Sequence, residues 1–67
     1  MMKFDEYDMN RAREIAAEMR KSGEWQPELC KELCELAGLG EEWEQADGDT
    51  FESVVDEAAN RFGVDIY

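Results

Sequence analysis

The chain has no histidine, one proline, two cysteines and only seven basic residues among its 67. Each scarcity excludes a class of chemistry. Without histidine, no serine or cysteine has an imidazole base to activate it. Cys30 and Cys34 alone fall short of the four ligands that a structural zinc takes. No apolar run approaches the ~18 residues of a membrane span. Seven bases against 18 acids cannot drive binding to phosphate backbones by counterion release, and an anionic membrane repels the chain for the same reason. No glycine-rich phosphate loop is present. The start, Met1-Met2-Lys3-Phe4-Asp5-Glu6, turns acidic where the apolar core of a secretory leader would begin. The expectation is a cytoplasmic, monomeric protein with reduced thiols, no cofactor, and no direct contact with nucleic acid or membrane.

What remains is the composition of a folded protein: 43% hydrophobic, with two Trp, three Phe and two Tyr, where disordered acidic chains are poor in aromatics. The length allows one domain, 1–67. At this size only ~60% of the unfolded surface is buried on folding, so stability is modest. Met9, Ala12, Ile15, Ala16 and Met19 recur at spacings of three and four, which predicts a helix over 8–22 closed by Gly23. Asp5, Glu6 and Asp8 suit its N-terminal dipole. Pro27 is a natural first helical residue and opens a helix over 27–37, with Leu29, Leu33 and Leu36 inward, Cys30 and Cys34 beside them, and Gly38 at its end. Residues 41–46 read as a short helix with Trp43 inward. Phe51, Val54, Val55, Ala58, Ala59 and Phe62 then repeat at helical spacing over 50–62, with Asp49 and Glu52 placed as a capping box and Gly63 as the stop. Val64 to Tyr67 alternates and is expected to lie extended, beside Lys3 to Tyr7. The fold class is all-α: a small bundle of three main helices and one short one. Its expected core is Ile15, Met19, Leu29, Leu33, Leu36, Trp43, Phe51, Val54, Val55, Ala58 and Phe62.

Charge is the outlier. Residues 1–23 carry five acids and five bases, and residues 58–67 one of each, so the whole formal charge of −11 falls on residues 24–57, twelve acids against Lys31 alone. Glu28, Glu32 and Glu35 share one helix face, ~6 Å and ~4.5 Å apart along the axis. Glu41, Glu42, Glu44, Asp47 and Asp49 continue the charge. Three readings are open: an acidic face that imitates nucleic acid towards a basic protein, a solvated surface that keeps a small protein soluble, or a weak site for divalent cations. Trp25, if exposed within that surface, is the candidate aromatic anchor for a protein partner.

The other candidates are structural. Two cysteines four apart on one helix are expected to pack in the core, since a disulfide within one turn strains the backbone. Asp47-Gly48-Asp49 has part of a calcium-loop pattern, but neither register supplies the glycine at position 6 or the glutamate at position 12. A turn and helix cap account for it. Carboxylates abound, yet acid/base catalysis needs two whose environments separate their pKa values. The expectation is a non-enzymatic protein.

Glu24-Trp25-Gln26-Pro27-Glu28-Leu29-Cys30, Glu35-Leu36-Ala37-Gly38 and Ala46-Asp47-Gly48-Asp49-Thr50-Phe51-Glu52-Ser53-Val54-Val55, with Ala58-Ala59, resemble small acidic helical proteins of gut bacteria. That family has no assigned function and is often encoded near conjugative elements or prophages. The resemblance implies a compact helical fold and carries no catalytic or ligand residues. Mobile-element proteins of this size and charge include inhibitors of host defence nucleases, so the resemblance also favours imitation of nucleic acid, by analogy.

Overall fold

A computed structural model describes residues 4–67. Four helices follow one another: α1 (Glu6–Ser22), α2 (Pro27–Leu36), α3 (Gly40–Gln45) and α4 (Phe51–Phe62). Among the described residues no strand forms. α2 and α4 each touch all the other helices, whereas α1 and α3 do not meet. The architecture is the expected all-α bundle, with α2 and α4 as its central pair.

Local chemistry sets the ends. α1 starts two residues before the expected Asp8, because the Asp5 carboxylate accepts the backbone N–H of Asp8 at 2.9 Å and so supplies the cap. Gly23 (φ 72°) closes it in the left-handed region. At the end of α2 the N–H of Leu39 reaches back to the Cys34 carbonyl at 2.7 Å and that of Gly38 to Glu35 at 3.1 Å. This closure folds the residue after the glycine back onto the last turn. Leu39, expected to lie in a link, is therefore buried core.

The start of α4 corrects the capping box. Neither Asp49 nor Glu52 caps the helix; its N-cap is Thr50, without a side-chain hydrogen bond. Asp47 takes the part instead. Its carboxylate accepts the N–H groups of Asp49 (2.9 Å) and Thr50 (3.1 Å), while the Asp47 N–H donates to the Thr50 hydroxyl at 3.0 Å. The reciprocal pair is thus Asp47 with Thr50, three apart as the motif requires but one turn early.

The core is Ala12, Ile15, Ala16, Met19, Cys30, Leu33, Cys34, Ala37, Leu39, Val55, Ala58, Ala59, Phe62 and Ile66. Five expected core residues, Leu29, Leu36, Trp43, Phe51 and Val54, are half-buried around it. α2 is therefore turned so that Cys30, Leu33, Cys34 and Ala37 point to its centre. All three other helices pack against α2, which favours a stripe with small residues there. The expected pairing of Val64–Tyr67 with residues 3–7 does not form across the described part: Tyr7 lies in α1, and Lys3 lies outside the described residues. Phe4 instead stacks on Phe62 with ring centroids 4.2 Å apart. The C-terminal segment is fastened by burial of Ile66, by Arg20 donating to the Asp65 carbonyl, and by the Tyr67 hydroxyl donating to Asp56 at 2.8 Å.

Candidate functional site

The acidic section divides into paired and unpaired carboxylates. Glu32 is the chief departure from the expected row. Arg11 of α1 reaches across to it with two donors, Nε to Oε2 at 2.5 Å and an Nη to Oε1 at 2.8 Å. A fork matched to a carboxylate in this way is the strongest form of surface ion pair. Arg11 also bonds Glu14 at 3.1 Å. The guanidinium holds the Glu32 carboxyl below the ordinary carboxylate range, and the Arg11 pKa is raised by Glu32 first and Glu14 second. Glu32 thus joins α1 to α2, and the regular spacing of Glu28, Glu32 and Glu35 loses its middle member.

Three more acids are engaged. Glu57 lies 3.4 Å from Arg61, and Asp56 accepts the Tyr67 hydroxyl. Asp47 is turned into its own loop, where the N–H of Asp49, the Thr50 hydroxyl and the Thr50 N–H lower its pKa. Arg61 has a second task, donating to the Ala37 carbonyl at 3.2 Å. It thereby satisfies an orphan carbonyl at the end of α2, a helix whose last turn contains no base.

Eight acids of residues 24–57 remain exposed, with carboxylates in no ion pair or hydrogen bond among the described residues: Glu24, Glu28, Glu35, Glu41, Glu42, Glu44, Asp49 and Glu52. α3 concentrates three of them in six residues. At ~100° per residue, Trp43 turns inward, to lie edge-on to Phe51 at 6.3 Å, and Glu41, Glu42 and Glu44 fan over the outward arc. Glu35 stands beside them: a Cβ added at Gly40, the first residue of α3, would lie 3.3 Å from its Cγ. The outward charge is therefore densest as a fan on α3 with Glu35 of α2 beside it, and Glu24, Glu28, Asp49 and Glu52 add to it elsewhere in residues 24–57.

Trp25 does not stand free. Its ring is half-buried, edge-on to Phe51 at 6.5 Å and 5.6 Å from Tyr67, which ties the α1–α2 link to the C-terminal segment. Among the described residues the large apolar side chains that are most exposed are Tyr7 and Tyr67. Cys30 and Cys34 are both free and buried. Burial raises both thiol pKa values, that of Cys34 to about 11 with added repulsion from Cys30 and Glu35. Among the described residues no three His, Cys, Asp or Glu side chains converge as a metal site, and no helix is long and apolar enough to cross a membrane. A groove of about 390 Å³ between α1 and α2 is lined by Arg11, Glu14, Glu18 and Lys21 beside Ile15, Ala17 and Leu29, so it carries charges of both signs. No family model, curated protein or solved structure matches the chain.

Proposed function

We propose that this chain is a non-enzymatic interaction domain, monomeric and cytoplasmic, that presents an acidic, nucleic-acid-like surface to a basic protein. One observation carries the reading. Once Arg11 and Arg61 have taken Glu14, Glu32 and Glu57, eight exposed carboxylates of residues 24–57 remain without a partner among the described residues, and three of them fan from one short helix. Held at that density on a packed scaffold, such a field attracts a basic partner and speeds its encounter. The resemblance to mobile-element proteins points to a partner that itself handles nucleic acid. Arg11, Arg61 and Asp47 contribute indirectly, by fastening the helices that hold the fan in place.

The test is affinity capture on the immobilised chain at low and high salt, beside a variant in which Glu35, Glu41, Glu42 and Glu44 are all Gln. A basic nucleic-acid-handling protein should be retained by the wild type at low salt, released at high salt and displaced by duplex DNA. Retention of the same proteins by the neutralised variant would remove the basis of the proposal.

A further inference from the structure

Between α3 and α4 the surface sinks into a groove of about 180 Å³, lined by Leu39, Glu42, Ser53, Val54 and Glu57. The lining is almost wholly apolar although two of its five residues are acids. The methylenes of Glu42 and Glu57 therefore form its walls, and their carboxylates stand at the rim. Leu39 is buried and Val54 half-buried, so the apolar surface belongs to side chains held by the core. Glu42 has no ion pair among the described residues, and Glu57 shares only Arg61, one turn along its own helix at 3.4 Å.

Size and charge together select an occupant. Pockets for small molecules and cofactors run to about 300–1,000 Å³, so this groove holds something smaller, on the scale of one side chain. A purely apolar side chain would leave the Glu42 carboxylate unanswered and Glu57 with Arg61 alone, and an anionic one would be repelled. Lysine lays its four methylenes along apolar surface while its ammonium stays in water. The ammonium is also a compact, strongly hydrated point charge, which suits a carboxylate on a water-facing rim better than the weakly hydrated, planar guanidinium of arginine. We infer that the groove takes a lysine side chain of the basic partner, its stem against Leu39 and Val54 and its ammonium between Glu42 and Glu57. The inference rests on the proposed function, and it names the point on the acidic surface where a side chain is held rather than only attracted.

The experiment is a methyl and amide NMR titration of the full chain with deca-lysine, and in parallel with deca-arginine. With deca-lysine the Leu39 and Val54 methyls should shift progressively and show contacts to lysine methylene protons. Ser53→Met fills the groove from an exposed helical position without changing charge. It should weaken deca-lysine binding about fivefold, equivalent to ~1 kcal/mol at ~1.4 kcal/mol per decade, and abolish those methyl shifts. Glu42→Gln and Glu24→Gln each remove one charge, one at the rim and one away from it, so Glu42→Gln should cost more affinity. Binding with unmoved Leu39 and Val54 methyls, or equal losses from the two Gln variants, would overturn the groove and leave the acidic surface standing. Larger methyl shifts with deca-arginine would overturn the lysine assignment. Absence of binding to either peptide at low salt would overturn both the groove and the proposed function.

Discussion

Glu28, Glu32 and Glu35 look equivalent along α2, yet their neutralisation should change stability in three different ways. Glu32→Gln breaks the two-donor pair with Arg11, at 2.5 and 2.8 Å. Two unit charges ~4 Å apart attract by ~4 kcal/mol at an effective dielectric of ~20, but the two side chains keep 32% and 36% of their exposure, so water and side-chain entropy remove most of that. Exposed pairs are worth about 0.2–1 kcal/mol, and the fork geometry places this one near ~1 kcal/mol. At ~4–8 °C per kcal/mol for a domain of this size, Glu32→Gln should lower the melting temperature by ~5 °C. Glu35 lies in the last turn of α2, which has no base of its own. There the dipole opposes an anion, so Glu35→Gln should stabilise by about 0.3–1 kcal/mol. Glu28 sits in the first turn, where the dipole favours it while the net charge of −11 opposes it, and Glu28→Gln should leave stability nearly unchanged. pH provides the second check. Arg11 depresses the Glu32 pKa from its ordinary 4.5, so the pair's contribution is present above that value and lost as pH falls through the lower folded-state pKa. The gap between wild type and Glu32→Gln should be full at pH 7 and closed in strong acid. Thermal melts by circular dichroism at both pH values read all of this. If Glu32→Gln melted at or above Glu35→Gln at pH 7, or if its deficit persisted unchanged in acid, the reasoning that withdraws Glu32 from the open surface would be wrong.

Three further outcomes follow from the packing. Leu33→Ala, at a fully buried site on α2, the helix that touches α1, α3 and α4, should cost about 2–5 kcal/mol, much of the ~3–10 kcal/mol that a chain of this length holds, and urea titration should find it largely unfolded at low denaturant. Asp47→Ala should lower the melting temperature while Asp49→Ala leaves it near wild type, because Asp47 makes the reciprocal bonds with Thr50; equal effects would restore Asp49 as the cap. Cys30 and Cys34 should react with a disulfide reagent far more slowly at pH 8 than in urea, because both thiols are buried and that of Cys34 is raised to about 11; rapid reaction in the folded state would place them at the surface.

The periodicities read along the chain were enough for an all-α bundle and for most of its helix limits, since Gly23, Pro27 and Gly63 act through their own backbone chemistry. Gly38-Leu39 contained a signal of the same kind, a hydrophobic residue just after a closing glycine, and it marks Leu39 as core. The inward turn of α2 was less legible, because Leu29, Leu33 and Leu36 outweigh two cysteines in any count of hydrophobicity. The choice fell to small side chains only when the other three helices packed against α2.

The acidic surface shows the same division. Sequence alone determined that the −11 belongs to residues 24–57, because net charge is a sum and needs no geometry. Which carboxylates stay open was decided by tertiary structure. Arg11 lies 21 residues from Glu32, and Arg61 lies 24 from Ala37. Such partners meet only when helices pack, and no spacing along one helix records them. Packing also withdrew Glu32 from the expected row on α2, while the expected acids of α3 stayed open, and it set Trp25 against Phe51 and Tyr67. Local order along the chain specifies elements and total charge, whereas the neighbours of each charge are chosen by contacts between residues far apart in sequence.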